Sequence, residues 1–341
     1  MATARTVGGA LMTRRTALLR LIADGELHSG EALARELGVT RAAVAKQVRR
    51  LADWGLAVES VPRRGHRLAA PLDLLDAERL QASLTPLAHA RLERLELVDE
   101  IASTNSYLLA ANRLPAGRWC ACLAEYQSAG RGRRGRGWIA PYASGLCLSF
   151  GWMLADPPAG LATLSLAAGV AVLRALTALG VTGLALKWPN DVLKNGRKLG
   201  GILCELRAEA AGPAYVVIGI GLNVRLPVAA RAAITAGGGL EPADLATGEP
   251  GSPPARTLLA AALLDALVAM AIEFEVRGFA PFWRELSGAD ALCDRPVRVF
   301  AHSSERDGVA RGIDADGALC VEFDGQLERL ASGEVTLRAV A

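Results

Sequence analysis

Apolar positions along the chain fall into three successive regimes. Residues 16–23 form a short apolar helical run. Leu33 and Leu37 then share one helical face, behind Ser29 as a cap and ahead of Gly38 as a stop. Val44, Val48 and Leu51 recur at i, i+4 and i+7 behind Thr40, which predicts a third helix. Between those apolar positions lie Arg41, Ala42, Lys46, Gln47, Arg49 and Arg50. Two apolar segments, 56–61 and 66–69, flank Pro62-Arg63-Arg64-Gly65, a basic hairpin. Helix, helix, Gly-containing turn, basic helix and hairpin together predict a winged helix-turn-helix.

The second regime mixes short apolar runs with longer helical patterns. Strands are expected near 95–98, 120–126, 146–152, 184–188, 202–207 and 215–224, and helices near 104–112, 161–179 and 258–274. Strands cluster while helices stand apart, so the fold expected is α+β with a mixed sheet. Segment 228–256 is rich in Ala, Gly and Pro and reads as a flexible loop and poor helix. The third regime starts at Asp294, where three Asp-Gly pairs (307–308, 316–317, 324–325) separate β-rich runs and predict hairpins in a small all-β barrel. The expected organisation is an N-terminal extension (1–13), a winged helix-turn-helix (14–70), a linker (71–83), a central domain (84–290) and the barrel (291–341).

Composition changes this picture in two places. The chain of 341 residues has net charge +3, but residues 1–70 hold 12 Lys+Arg against 6 Asp+Glu, so the rest sums to −3. A basic module on a slightly acidic body points to nucleic acid, with Thr40, Arg41, Lys46, Gln47, Arg50, Arg63 and Arg64 as candidate DNA contacts. The six cysteines form no C-x-x-C pair and mostly lie in apolar runs, as small buried hydrophobes of a reducing cytoplasm would. No run of eighteen uncharged apolar residues occurs, so no membrane span is expected, and residues 1–13 lack the apolar core of a signal peptide.

The chemistry concentrates in residues 124–138, where Arg131, Arg133, Arg134 and Arg136 alternate with Gly130, Gly132, Gly135 and Gly137 ahead of Trp138. Glycine frees the backbone, and arginine supplies a forked cation that grips carboxylate or phosphate. Gly130-x-Gly132-x-x-Gly135 fits a dinucleotide fingerprint literally, but the context is strand–loop–strand, which rejects it. The P-loop pattern fails as well, because Arg136-Gly137 stand where Lys-Ser/Thr belong.

The loop does resemble the ligand loop of biotin protein ligases, and four further blocks agree in order and spacing: Ser103-Thr104-Asn105, Lys187-Trp188-Pro189-Asn190-Asp191, the run 198–203, and Gly219-Ile220-Gly221-Leu222-Asn223. The resemblance spans about 17–338 and is nearest to the two-function form, a ligase that is also a biotin-operon repressor. It implies ATP-dependent activation of biotin to biotinyl-5′-AMP and transfer to a lysine of a biotin carboxyl carrier domain. Ser103, Thr104, Asn105 and Gln127 are implied for the biotin head. Gly130, Arg131, Gly132, Arg133 and Lys198 are implied for its tail and carboxylate, with Gly201, Gly219 and Gly221 allowing close approach. Arg131, Arg134, Arg136, Trp138, Lys187, Asn190, Asn223 and Arg338 are implied for ATP and adenylate. Arg133, Lys187, Asp191 and Lys198 are implied for the catalytic roles, with Mg²⁺ expected through Asp191. Gly137 departs from the pattern, standing where the family carries lysine, and the segment after Asn223 lets no individual contact be carried over. Implied partners are the carrier domain, operator DNA and, on adenylate binding, a second copy meeting at a sheet edge. Two other readings stay open: a biotin-responsive transcription factor without ligase activity, and a lipoate or octanoate enzyme of related fold.

Overall fold

Thr13, Ser29 and Thr40 each turn a side-chain oxygen onto an amide of the helix that follows. They start α1 (Arg14–Leu21), α2 (Gly30–Glu36) and α3 (Arg41–Arg50). The structure, a computed structural model, describes residues 13–111, 114–158, 160–208, 212–237, 240–247, 252–301, 304–331 and 335–339. Leu18, Leu19, Leu33, Val44, Val48, Leu51 and Trp54 form a small core, which Tyr142 and Ala143 of the central domain complete. β1 (Val58–Val61) and β2 (Gly65–Leu68) form the antiparallel wing. Reciprocal backbone bonds between His28 and His66 (2.9 and 3.0 Å) pin the wing beside the start of α2. A Cβ on Gly65 would lie 1.9 Å from the His28 carbonyl oxygen, so this close approach needs glycine.

The expected linker is largely a packed part of the central domain. It holds α4 (Ala77–Ala82), and Leu75 and Leu80 sit in the main core. α5 (Pro86–Arg91), absent from the sequence reading, leads into β3 (Leu92–Ile101), then α6 (Thr104–Ala110), β4 (Trp119–Gln127), β5 (Gly145–Leu154) and α7 (Leu164–Ala178). β6 (Leu184–Lys187), β7 (Asp191–Lys194), β8 (Arg197–Ala208) and β9 (Ala214–Asn223) complete one seven-stranded sheet in the order β3-β4-β5-β9-β8-β7-β6. Only β3 and β4 run parallel, which makes the sheet mixed as expected. All ten residues of β5 are buried, the mark of a central strand covered on both faces.

After β9, the segment read as flexible loop and poor helix forms α8 (Val228–Ala236), and residues 241–246 bond to Lys198, Asn223 and Val224 of the sheet. Backbone hydrogen bonds to the sheet therefore override a weak local pattern. α9 (Arg256–Arg277) and α10 (Ala280–Ala289) follow. The segment 161–178 and α9 are each long and apolar enough to cross a membrane by length and composition. Their apolar residues nevertheless pack into the core against the sheet, including Leu166, Val170, Leu263 and Leu267.

The C-terminal domain is all antiparallel: β10 (Pro296–Ala301), β11 (Ser304–Ile313), β12 (Leu319–Phe323), β13 (Gln326–Leu330) and β14 (Val335–Ala339), in the order β13-β12-β11-β10-β14. Gly317 and Gly325 take φ of +81° and +80°, so those two Asp-Gly pairs are turns. The pair at 307–308 is not: Asp307 and Gly308 lie inside β11, opposite Arg298 and Val297. The Trp188 indole N–H donates to the Gly317 carbonyl at 3.0 Å and that of Trp283 to Ile313 at 2.6 Å, joining this domain to the central one.

Candidate active site

The polar end of the site is built on four elements that the sequence separates. α6 begins at Ser103, whose hydroxyl caps it by accepting from the Ser106 amide. That start brings Thr104 to the end of β4, where its amide and hydroxyl both donate to Gln127 Oε1, at 2.8 and 3.1 Å. From β5 below, the buried Ser149 hydroxyl lies 2.7 Å from Thr104 Oγ1 and 2.5 Å from Asn105 Oδ1. The Asn105 amide nitrogen donates to the Leu203 carbonyl (3.1 Å) and to Glu205 Oε2 (3.0 Å), both on β8. Gly219 is required here, since a Cβ would stand 2.2 Å from Asn105 Oδ1. A Cβ at Gly221 would fall 2.5 Å from the Trp138 ring.

The Arg/Gly loop folds back on itself. The Gly132 amide donates to Arg136 (2.7 Å), the Trp138 amide donates to Gly130 (2.9 Å), and Arg131 bridges Gly137. Arg134 takes φ of +55° within the short turn at Arg133–Gly135. The loop, the start of α7 and residues 202–206 of β8 enclose a cleft of about 710 Å³. Its cations differ in setting. Arg131 pairs with both oxygens of Glu205, and Arg133 is half-buried 3.5 Å from Asn190 Oδ1, while Arg134 and Arg136 are exposed. Burial, with help from the neighbouring Arg134 charge, pulls the Arg133 pKa below the ordinary arginine value. Burial likewise pushes the Cys204 thiol up to about 12, which leaves it an inert protonated neighbour of the cleft.

A second polar group gathers where β6 turns into β7. Lys198 Nζ lies 2.6 Å from Asp191 Oδ1, and Lys187 is buried at the end of β6. Asn190 donates to the Ile202 carbonyl at 2.8 Å, which fixes its oxygen toward Arg133. Gly201 would admit a Cβ at ordinary contact distance from Lys198 and Asp191, so its small size is not demanded by the protein itself. Asn223 is buried at the end of β9 with its amide donated to Ala243. Arg338 lies in β14 opposite Arg298, and its side chain falls outside the described residues. Among the described residues no cluster of three His, Cys, Asp or Glu side chains exists that could hold a metal.

Ser149 and Glu205 are the site residues that motif reading missed. The only signal for Ser149 was one hydroxyl inside an otherwise apolar strand run. Three cysteines (120, 122 and 147) are buried as expected, whereas Cys293 is exposed at the domain junction.

In the N-terminal module Val44 and Val48 face the core and leave Arg41, Lys46 and Arg50 exposed along α3, with Arg63 and Arg64 exposed at the wing tip. Thr40 is engaged as the α3 cap, and Gln47 is half-buried with its Oε1 lacking a partner among the described residues. This module does not hang free. Trp54 stacks on Tyr142 at 4.5 Å, Arg15 pairs with Glu100 at 2.7 Å, and Arg20 meets Asp99 at 3.3 Å. Tyr142 follows the Arg/Gly loop by only a few residues.

Comparison with known proteins agrees with this arrangement. Residues 98–223 match the biotin/lipoate A/B protein ligase family, residues 13–67 an HTH domain, and residues 293–338 the biotin protein ligase C-terminal domain. The chain is 40% identical to the bifunctional ligase/repressor BirA of Salmonella typhimurium, over 94% of this chain and 97% of that one. It is 36% identical to the biotin–[acetyl-CoA-carboxylase] ligase of Mycobacterium tuberculosis, over 79% and 97%. The fold superposes on the biotin protein ligase of Aquifex aeolicus in complex with biotin and ATP with a TM-score of 0.58, at 24% identity, covering 72% of this chain and 99% of that one. Three domain matches in order, with a relative aligned over nearly its whole length, establish that the chain belongs to the biotin protein ligase family, in the form that joins the ligase to a helix-turn-helix repressor module.

Proposed function

We propose that the chain activates biotin with ATP in the cleft beneath the Arg/Gly loop and transfers it to a lysine of a biotin carboxyl carrier domain. The observation that carries this reading is the loop itself: four arginines on a self-bonded hairpin covering a cleft of about 710 Å³, linked through Arg131 and Glu205 to the Thr104–Asn105–Gln127 cluster. In the first step a biotin carboxylate oxygen attacks the α-phosphorus of ATP, and pyrophosphate leaves. In the second, the acceptor amine attacks the acyl carbon of the mixed anhydride, and AMP leaves with the bonding pair. Both steps build negative charge on phosphate oxygens, which fixed cations stabilise in a site closed to water.

Thr104, Asn105 and Gln127 offer donors and acceptors suited to a cyclic urea, and Ser103 serves chiefly to start the helix that presents them. Lys198 suits the carboxylate, and Arg131, Arg133, Arg134, Arg136, Lys187 and Asn190 suit the phosphates, with Trp138 beside the nucleotide. Mg²⁺ keeps most of its ligands as water and substrate phosphate, so one carboxylate is a sufficient protein ligand, and Asp191 is the fitting candidate. Bound there, Mg²⁺ would neutralise charge on the leaving pyrophosphate.

The N-terminal module reads operator DNA with Arg41, Lys46, Gln47, Arg50, Arg63 and Arg64. A single helix-turn-helix reads one half-site, so a second copy recruited by the adenylate completes the interface. The outer edge of β3 has no strand partner among the described residues, whereas the Leu186 carbonyl of β6 already accepts from Ala291. That favours β3 as the edge where two copies pair. The test is biotin- and ATP-dependent pyrophosphate release and transfer to a carrier domain, with sedimentation and DNA binding measured with and without both substrates. Lipoate in place of biotin separates the related-fold alternative. Absence of biotin-dependent pyrophosphate release sinks the ligase reading, and an unchanged mass sinks the dimer.

A further inference from the structure

We propose that Glu205 is a positioning residue of the ligase, one carboxylate that sets the biotin-head carboxamide and the ligand loop together. The inference rests on the ligase reading above. Glu205 stands on β8 with Oε2 accepting from the Asn105 amide nitrogen at 3.0 Å. Both of its oxygens accept from the Arg131 guanidinium. A hydrogen-bonded chain therefore runs from Gln127 on β4 through Thr104, Ser149 and Asn105 to Glu205, and on to Arg131 in the loop. It connects β4, α6 and β5 to β8 and the loop, the two of these elements that line the cleft.

Two physical consequences follow from that chain. The Asn105 carboxamide can present itself two ways, and only one satisfies Ser149 with its oxygen while giving its N–H groups to Leu203 and Glu205. Glu205, together with the Leu203 carbonyl, therefore sets which atom Asn105 turns to each neighbour. At the other end, Arg131 sits on the Gly-rich loop, and one of its terminal nitrogens donates to both oxygens of the Glu205 carboxylate, a charge-assisted contact that ties the loop to β8. Losing that partner leaves the loop to open over the cleft. Glu205 itself is about a quarter exposed, with a side-chain accessibility of 27%, so it sits at the wall of the cleft rather than in the core.

The two functions separate chemically. Glu205→Gln keeps a carbonyl oxygen for Asn105 but removes the charge that holds Arg131, and Glu205→Ala removes both. In the full-length chain, Glu205→Ala is expected to raise the KM for biotin about tenfold with a smaller change in kcat, and to shorten retention of biotinyl-AMP about tenfold. Glu205→Gln is expected to restore KM close to wild type while still shortening retention. Circular dichroism checks that each variant is folded. If Glu205→Ala does not fold, the near-isosteric Glu205→Gln carries the test by its retention alone. The proposal is overturned if both variants retain adenylate like wild type. A Glu205→Gln that raises KM as much as alanine overturns it too, as does either variant retaining adenylate longer, which would make Glu205 a competitor for Arg131. Wild-type protein with no biotin-dependent pyrophosphate release would instead remove the ligase reading, so the two failures stay distinguishable.

Discussion

The junction between the linker and α9 and the ligand loop each rest on an arginine–glutamate pair, yet the two pairs live in opposite settings. At the junction, Arg256 and Glu125 are each about 1% exposed. Arg256 Nε donates to the Gly145 carbonyl at 2.9 Å, and its Nη1 donates to Glu125 (2.6 Å) and to the Asp73 carbonyl (2.8 Å). Glu125 in turn accepts from the Leu75 amide at 2.6 Å. Most polar atoms there are used by the protein; the second terminal nitrogen of Arg256 is the exception, buried without a hydrogen-bond partner among the described residues. At the loop, Arg131 is 43% exposed and Glu205 27% exposed, and both border the cleft. The same two groups thus form a strut where water is excluded and an exchangeable clip where a ligand can enter. Burial, and not the chemistry of the pair, decides which.

The comparison is broken most forcefully at the strut. Glu125→Ala leaves Arg256 charged and buried with its best partner gone, so it should cost about 3–5 kcal/mol of stability. Urea unfolding of the full chain measures this, and a loss below about 1 kcal/mol would mean the junction is not closed to water. On the loop the contrast predicts lost function with an unchanged unfolding midpoint. Arg133→Gly removes a half-buried cation, at about 1.5–3 kcal/mol, so biotinyl-AMP should escape tenfold to over a hundredfold faster. Adenylate retained as long as in wild type would deny the loop its clamp. Lys198→Ala sharpens the same point next door: it should weaken biotin binding more than about tenfold by calorimetry, because Asp191 cannot replace a cation facing a carboxylate. The smallest effect belongs to the exposed wing. Arg64→Ala should lower the salt slope of DNA binding by about one, and an unchanged slope would take the wing tip off the phosphates.

The Trp54–Tyr142 stack makes a further use of the contrast. Tyr142 shares a core with the helix-turn-helix, while the loop a few residues before it is built from exposed, exchangeable contacts. A rigid contact therefore adjoins a movable one within a single short segment. The segment that carries the loop thus has a direct neighbour in the helix-turn-helix module.

What the sequence determined by itself was whatever short-range physics encodes. Thr40 and Ser29 announced helix starts because a cap bond spans only three residues, and the period of Val44 and Val48 gave the buried face of α3. The blocks 103–105 and 187–191 stood out as contiguous runs through the family resemblance, which assigned them ligand roles that remain proposals. Local signals failed where a longer-range bond outcompeted them. Asp307-Gly308 has the composition of a turn, but pairing with β10 holds it inside a strand. Segment 241–246 has no pattern of its own, but the sheet binds it through Lys198 and Asn223. Only the tertiary structure could join Glu205 to Arg131 and Asn105, 74 and 100 residues away, or Glu125 to Arg256, 131 residues on. No propensity or spacing links residues so far apart; the packing of helices and loop on the sheet brings them within hydrogen-bond reach, and burial then sets what each contact is worth.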